Sequence, residues 1–300
     1  LKKFKKNWRI KMNKINIGII GFGFVGSSVA YGFSPQTGFD QANLRIYDKD
    51  ASKATHSMKE VLDDSDFIFL SVPTPSNVDG SINLTILENV LAEINSHGTK
   101  DGCIVLVRST IVPGTTRRFQ EKYKNTTLVF NPEFLTERSA KFDFINQARF
   151  ILGGNPSDTA KVAELFTIRF GSSTSTIETN FETAEFIKYM NNCYFATKVS
   201  FMNEMKLIAE NSNVNWQTAV DGFVRDGRVG HSHLAVPGPD GKRGFGGSCF
   251  PKDIQALIRH SESVGVDTHV LKGAWETNLD VRPERDWEKL VGRAIIKEAS

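Results

Sequence analysis

The chain has 300 residues, 40% of them hydrophobic, and a formal net charge of +3, which is typical of a globular protein with room for two packed domains. It has no run of 18 apolar residues, so the sequence predicts no membrane-spanning helix. The three cysteines, Cys103, Cys193 and Cys249, are odd in number and far apart. This argues against a disulfide framework and favours a reducing, cytoplasmic setting.

The first 13 residues are predicted to be a basic, disordered N-terminal extension. Residues 1–11 carry six basic residues and no acid, and the first methionine is Met12. A net charge of +3 less these six gives −3, so the basic character of the chain belongs to this extension. Three interpretations stay open: an upstream start that is not used, a disordered arm, or a tail that contacts nucleic acid or membrane. We predict neither a nucleic-acid nor a membrane partner.

A short apolar strand at residues 15–20 leads directly into the glycine motif GFGFVG and a predicted helix at residues 27–33. In this setting, GxGxxG is typical of dinucleotide binding, because its glycines allow a tight turn, close approach of a pyrophosphate, and close packing of helix on strand. The helix N-terminus also favours phosphate binding. We therefore predict that the cofactor contacts Gly21, Phe22, Gly23, Phe24, Val25 and Gly26. The alternative is a glycine turn that binds no phosphate.

The second predicted strand, residues 44–48, ends in Asp48, which is 22 residues after Gly26. A carboxylate at this position accepts hydrogen bonds from a ribose 2′-hydroxyl and repels a 2′-phosphate. The sequence therefore favours NAD over NADP as the cofactor.

Short apolar runs then alternate with predicted helices up to residue 170. The predicted strands are residues 66–72, 103–107, 127–130 and 149–152, and the predicted helices are residues 83–96 and 158–170. This alternation predicts an α/β fold with a Rossmann-type, doubly wound parallel sheet over residues 14–178. Ligands bind at the carboxyl ends of such strands, so we expect Thr74, Thr110 and Glu133, which follow strand ends, to face the cofactor.

The pattern changes near residue 179, where an all-helical domain is predicted to run to residue 300. Residues 180–211 contain no glycine or proline and have apolar residues at helical spacing, which predicts one central helix about 45 Å long. A helix of this length often lies at an oligomer interface, and we predict a homodimer through it. Lys188 and Asn192 are four residues apart and share a face of this helix. The alternative is a solvated surface pair.

The stretch GFGGSCFPKD at residues 244–253 places Cys249 in a glycine-rich loop just before a predicted helix at residues 253–263. A helix N-terminus favours the thiolate, which is the nucleophilic form of cysteine. The alternative is an incidental thiol. The tail at residues 269–300 is predicted to be helical. No cluster of histidines and cysteines has metal-ligand spacing, so we predict no metal site.

Six motifs, which lie in order over residues 15–280, resemble those of the UDP-glucose/GDP-mannose 6-dehydrogenase family. They are GFGFVG at 21–26, VPTP at 72–75, RSTIVPG at 108–114, NPEFLTE at 131–137, the Lys–Asn pair at 188 and 192, and GFGGSCFPKD at 244–253. The resemblance implies that Cys249 is the nucleophile, that Glu137 is the general base and that Thr110 helps to place a water. It also implies that Lys188, Asn192, Asp253 and Glu133 belong to the catalytic site.

The resemblance further implies two sets of binding residues. Besides the glycine motif and Asp48, NAD would contact Lys53, Val72, Pro73, Thr74, Ser109, Thr110, Glu137 and Lys252. The nucleotide-sugar substrate would contact Glu133, Phe134, Leu135, Lys188, Asn192, Arg228, Phe245 and Gly246. Arg228 resembles a family arginine that reaches the substrate of the neighbouring subunit, although its loop is longer here.

The reaction implied is the oxidation of UDP-glucose to UDP-glucuronate by two successive hydride transfers to NAD. A thiolate at Cys249 would add to the intermediate aldehyde, and the thiohemiacetal would be oxidised to a thioester that water hydrolyses. Lys188 and the amide of Asn192 would stabilise the oxyanions.

Two departures from the family and two alternative functions stay open. The connection at residues 49–65 is short, and the third, nucleotide-binding domain of the family is absent from this sequence, as in a natural short form or a protein whose third domain is lost or supplied elsewhere. The alternatives are a β-hydroxyacid dehydrogenase, which needs only one hydride step, and an inactive cofactor-binding remnant. The GGSC thiol and NPEFLTE argue against the first, and the intact catalytic set argues against the second.

Overall fold

A computed structural model of the chain describes residues 14–296, so the predictions for residues 1–13 and 297–300 lie outside the described part. The described residues form two compact units. The first comprises residues 14–72, 92–108 and 123–178, and the second comprises residues 73–91, 109–122 and 179–296. Two segments that the sequence analysis assigned to the first domain, residues 73–91 and 109–122, thus group with the second unit.

A seven-stranded sheet forms the centre of the first unit. Its strands are β1 (Ile15–Ile20), β2 (Ala42–Tyr47), β3 (Phe67–Leu70), β4 (Ile104–Val107), β5 (Thr127–Phe130), β6 (Arg149–Gly153) and β7 (Ser175–Thr179). They lie in the order β2-β1-β3-β4-β5-β6-β7. The ladders from β2 through β5 are parallel, whereas β6 pairs antiparallel with β5. The predicted Rossmann-type fold class is confirmed, with the correction that the sheet is not parallel throughout.

The helices in the first part of the chain, in order, are α1 (Phe24–Gly32), α2 (Met58–Asp64), α3 (Thr85–His97), α4 (Thr115–Lys122), α5 (Ala140–Ile145) and α6 (Pro156–Phe170). An aromatic cluster fills the first unit, where Phe33, Phe69 and Phe144 are completely buried. The sequence analysis missed α2, α4 and α5. Of these, α2 does carry a sequence signal, because Ser57 and Glu60 form a capping box at its start.

The second unit is built around α7 (Phe181–Glu210), which confirms the predicted long helix to within one residue at each end. Asn180 caps it by accepting a hydrogen bond from the Thr183 backbone N–H at 2.8 Å. It packs against α9 (Phe250–Ser263) and α10 (His269–Val281), and α8 (Trp216–Phe223) follows it in the chain.

The predicted helical tail is wrong beyond residue 281. There, α10 ends before Pro283, and a 3₁₀ turn at Asp286–Lys289 follows. Proline cannot donate the backbone hydrogen bond that would continue a helix, and its ring disfavours helical geometry in the residue before it. Between residues 14 and 296, no helix is long and apolar enough to cross a bilayer.

Candidate active site

The glycine turn between β1 and α1 has the shape that a dinucleotide requires. Gly21 has φ +89°, and a Cβ there would lie 2.5 Å from the Ser71 carbonyl oxygen. A Cβ on Gly26 would lie 2.0 Å from the Gly21 carbonyl oxygen, so helix and turn pack too closely for any side chain. Gly23, in contrast, is exposed and would have no atom within 4 Å of an added Cβ. The middle glycine therefore leaves open space on the side where a pyrophosphate would approach.

Asp48 immediately follows β2 and is tied to this turn. One carboxylate oxygen accepts a hydrogen bond from the Phe22 backbone N–H at 2.6 Å, and the other accepts one from the Asp50 N–H at 2.9 Å. The side chain is only half-buried. Since an ionised carboxylate has about four acceptor positions, it can still accept hydrogen bonds from ribose hydroxyls. The turn and Asp48 together fit a bound NAD.

Cys249 occupies the N-cap position of α9 and is half-exposed. Its Sγ lies 3.8 Å from the Ser248 hydroxyl. The helix begins at Phe250, three residues earlier than predicted, so the thiol lies directly at the positive end of the helix dipole.

A buried polar cluster lies on the first turn of α9 and the facing turns of α7. The Asp253 carboxylate is 1% exposed and accepts hydrogen bonds from Asn192 Nδ2 at 2.6 Å and from Lys252 Nζ at 2.5 Å. Lys188 is 2% exposed. The alternative of a solvated Lys–Asn pair is therefore wrong, because both side chains are buried.

The cluster holds charged side chains away from water. Lys188, Lys252 and Asp253 are buried, and Lys252 pairs with Asp253 at 2.5 Å. Charges interact more strongly in such a region of low dielectric constant than in water. A buried lysine can therefore stabilise an oxyanion that forms beside it.

The loop before Cys249 is held by residues that the sequence analysis missed. The side-chain amide of Asn278 accepts a hydrogen bond from the Phe245 N–H at 2.7 Å and donates one to the Phe245 carbonyl at 3.0 Å. A Cβ on Gly246 would lie 2.4 Å from the guanidinium of Arg282. Arg282 in turn pairs with Asp240 and Asp286. No local pattern identifies the contacts of Asn278 with Phe245 or of Arg282 with Asp240, because they join residues more than 30 positions apart.

Thr110 belongs to the second unit and is held by Thr74. The backbone carbonyl of Thr110 accepts a hydrogen bond from the Thr74 hydroxyl at 2.8 Å, and Thr74 is buried. The two motifs that supply these threonines, VPTP and RSTIVPG, are therefore joined directly in the second unit.

The first unit holds Glu133 and Arg108. Glu133 is buried after β5 and accepts a hydrogen bond from the Leu135 N–H at 2.8 Å. Arg108, also buried, donates to the Asn131 side chain, and its guanidinium lies 5.7 Å from the centroid of the Phe144 ring. Burial lowers the pKa of Arg108 to about 10, although the negative charge of Glu133 opposes this shift.

Comparison with known proteins finds the same family for both parts of the chain. The model of the NAD-binding domain of the UDP-glucose/GDP-mannose dehydrogenase family matches residues 40–168, and that of the central domain of the family matches residues 182–280. The UDP-glucose 6-dehydrogenase AglM of Haloferax volcanii is 30% identical over 312 aligned residues, which cover 90% of this chain and 71% of that protein. The chain belongs to the UDP-glucose/GDP-mannose dehydrogenase family. The resemblance and the choice of NAD as cofactor are thereby confirmed.

Two further comparisons define the extent of the likeness. The UDP-glucose 6-dehydrogenase of Rickettsia prowazekii is 33% identical over 244 residues, which cover 80% of this chain. A solved UDP-glucose dehydrogenase from Pyrobaculum islandicum superposes with a TM-score of 0.77 at 26% identity, over 93% of this chain and 71% of that one. The chain described here spans 55% of the length of the Rickettsia protein.

Several of the residues expected to bind ligands lie on the surface. Arg228 has a side chain that is 90% exposed and is paired with Asp226 at 2.6 Å. Lys53 is exposed and paired with Asp50 at 3.2 Å, and Glu137 is exposed. Among the remaining residues, Ser109, Leu135 and Phe245 are buried, Val72 and Phe134 are half-buried, and Pro73 is exposed. Their roles stay predictions. Within residues 14–296, no group of three or more histidine, cysteine, aspartate or glutamate side chains could hold a metal ion.

Proposed function

We propose that this protein oxidises the primary alcohol of a nucleotide sugar to a carboxylate with NAD, with UDP-glucose as the first candidate substrate and UDP-glucuronate as its product. The observation that carries the proposal is the thiol of Cys249 at the start of α9, in the unit that also buries Lys188, Asn192 and Asp253. A single alcohol-to-carbonyl oxidation needs no nucleophile. A thiol in the unit that buries these polar side chains suits an enzyme that must also take an aldehyde to an acid.

In the first half of the proposed reaction, the 6-hydroxymethyl group loses a hydride and a proton and becomes an aldehyde. The Cys249 thiolate then adds to the aldehyde carbon and forms a thiohemiacetal. The turn at Gly21, Gly23 and Gly26 and the carboxylate of Asp48 would hold NAD, which when bound supplies the hydride acceptor for both oxidations.

In the second half, the thiohemiacetal loses a hydride and a proton and becomes a thioester. Water adds to the thioester carbonyl, the C–S bond breaks, and the carboxylate product leaves as Cys249 returns to the thiolate. Lys188 and the amide of Asn192 stabilise the oxyanion at each tetrahedral stage. Glu137 or Asp253 accepts the protons.

The direct test is the stoichiometry of NADH. The purified protein is given NAD and a panel of nucleotide sugars in limiting amounts, and NADH is counted per sugar by absorbance. We expect two NADH per UDP-glucose. Cys249→Ala should abolish the formation of UDP-glucuronate, because the aldehyde then has no nucleophile on the protein.

Cys103→Ala is the matched control, because Cys103 is a buried thiol of the first unit whose pKa burial raises to about 12. We expect this variant to keep the wild-type stoichiometry. One NADH per turnover of a small hydroxy acid, with no turnover of any nucleotide sugar, would instead favour a β-hydroxyacid dehydrogenase. Absence of turnover with every substrate would favour a cofactor-binding protein without activity.

We further propose that the protein is a homodimer that pairs through α7. Phe186, Met190 and Tyr194 recur every fourth residue on this helix, and each is about half exposed or more. They form an apolar stripe that pairing with a second copy would remove from water.

A further inference from the structure

Glu185 is a buried carboxylate that the proposed reaction does not use. It lies on α7, three residues before Lys188, and is 0% exposed. One of its oxygens accepts hydrogen bonds from the backbone N–H of Thr116 at 2.7 Å and from the Thr116 hydroxyl at 2.6 Å. The other oxygen accepts a hydrogen bond from the Gly114 N–H at 2.6 Å. Glu185 thus holds the start of α4 with three short hydrogen bonds.

A local cap would satisfy the same backbone groups without the free-energy cost of burying a carboxyl group. The first N–H groups of any helix lack partners within the helix, and a serine or aspartate just before the helix commonly accepts from them. Here the acceptor comes instead from a helix about 70 residues further along the chain, and it is a fully buried carboxyl group. Burial opposes ionisation and raises the pKa of Glu185 to about 7. Such a costly link suggests that the relative placement of α4 and α7 matters to the function.

The loop that Glu185 holds is the one that carries Thr110. The carbonyl of Thr110 is fixed by Thr74 at the beginning of the loop. In the middle, Ile111 is completely buried and Val112 packs against a cluster that contains Tyr189 of α7. Glu185 fixes the end. The loop of Thr110 is therefore fixed at both ends, and Glu185 joins its far end to the helix that carries Lys188 and Asn192.

We propose that Glu185 is a positioning residue for the hydrolysis of the thioester, an inference that rests on the proposed function. In this step, a water oxygen bonds to the thioester carbonyl carbon, the C–S bond breaks, Cys249 leaves as the thiolate, and the water protons pass to a carboxylate. Thr110 helps to place the water, while Lys188 stabilises the oxyanion. Glu185 keeps the loop that carries Thr110 in a fixed position relative to α7, which carries Lys188.

The test uses four variants of the whole chain. Thr116→Val removes one of the three donors while keeping the shape of the side chain, and Glu185→Gln replaces one acceptor by a donor. Thr116→Ser keeps the hydroxyl and should behave as the wild type. Glu182→Gln is the matched control, because Glu182 also joins α7 to α4, through an exposed ion pair with Arg117. Each variant is mixed with NAD and UDP-glucose, NADH is followed by stopped flow, and the protein is examined by intact-mass spectrometry.

In Thr116→Val and Glu185→Gln we expect a burst of NADH, about two per active site, followed by steady turnover at least about tenfold slower than wild type. The mass of the acyl group should accumulate on the protein and disappear when Cys249 is also replaced by alanine. A defect that only destabilises the fold would lower the burst amplitude and would not trap an adduct. If Glu185→Gln does not fold, Thr116→Val carries the test.

Two outcomes count against the inference in different ways. The first case requires an active wild type and variants Thr116→Val and Glu185→Gln that fold. If these variants turn over within about twofold of the wild type, or slow down without an adduct, the role of Glu185 is refuted. The proposed function then stands. If the wild type forms no NADH from any nucleotide sugar, the proposed function fails, and the role of Glu185 falls with it.

Discussion

Charged side chains in the second unit are buried where a protein of purely structural role would place apolar ones. Lys188, Lys252 and Asp253 are all less than 10% exposed. Replacing such a buried charge cluster by apolar side chains of similar size is often neutral or stabilising, so stability alone does not explain it. Buried lysines are useful where a substrate or an intermediate brings a negative charge.

The sequence predicted part of this cluster and not the rest. The spacing of Lys188 and Asn192 placed them on one face of a helix, and the glycine-rich loop placed Cys249 before another. That Asp253 joins Asn192 to Lys252 depends on how α7 and α9 pack, which no local spacing determines. Glu185 was missed for the same reason, since its partners lie about 70 residues away.

Glu185 should make the stability of the fold depend on pH. Burial, with a smaller contribution from the nearby Glu182 carboxylate, raises its pKa from an ordinary 4.5 to about 7, although its three hydrogen bonds oppose the shift. A group whose pKa is higher in the folded state contributes stability that is fully present below its unfolded pKa. That contribution is lost as the pH rises through the folded pKa. The window is therefore pH 4.5 to about 7, and the size is on the order of 3 kcal/mol.

The measurement is chemical denaturation of the wild type and Glu185→Gln between pH 5 and pH 8. Other titrating groups, including Arg117 and Glu182 on the two helices, are common to both proteins and cancel in the difference. We expect the wild type to lose stability relative to the variant as the pH rises. A difference that stays constant across this range would show that Glu185 does not titrate there.

At the scale of elements, α7 has two different faces. One face buries Glu185, Lys188 and Asn192, whereas the opposite face exposes Met190 and Tyr194. An exposed aromatic and aliphatic stripe on a helix of 30 residues suits pairing with a second copy. The same helix would then support the chemistry on one side and the dimer on the other.

The dimer is tested by charging the stripe. Met190→Glu combined with Tyr194→Glu should convert a dimer to a monomer, because pairing would bury two carboxylates per chain without partners. Light scattering after size exclusion gives the mass. Val270→Glu, at an exposed apolar position on α10, is the control and should stay dimeric. A wild type that is monomeric at micromolar concentration would refute the proposal.

Six of the seven described strands were predicted, whereas the mostly exposed β7 and several short helices were missed. The strand at residues 127–130 was predicted to the residue, because buried strands of parallel sheets are near-continuous apolar runs. In α4 and α5, with eight and six residues, there are too few turns to show a helical period. The end of α10 was overestimated because the proline after it was given too little weight.

At the scale of the whole molecule, the two units are interleaved along the chain, which passes between them five times in the described residues. The sequence analysis placed one boundary near residue 178, since hydrophobic patterns report local structure and not which distant segments pack together. Residues 73–91 and 109–122 carry most of the VPTP motif and most of RSTIVPG into the second unit. Each pass connects the cofactor-binding fold to the loops that the proposed chemistry needs.

Because the units are interleaved in this way, we expect the N-terminal and C-terminal halves of the chain to fold only together. Residues 14–178 produced alone would expose Ile82 and Val112, which pack against a core built from residues 189–274, and would leave Gly114 and Thr116 without Glu185. We expect this fragment to aggregate, or to melt without a cooperative transition. Co-expression with residues 179–300 should restore a soluble complex by fragment complementation, as measured by co-purification and calorimetry. A sharp melting transition of residues 14–178 alone would contradict this expectation. A recombination event that replaced residues 179–300 by those of a distant homologue would therefore have to replace residues 73–91 and 109–122 as well.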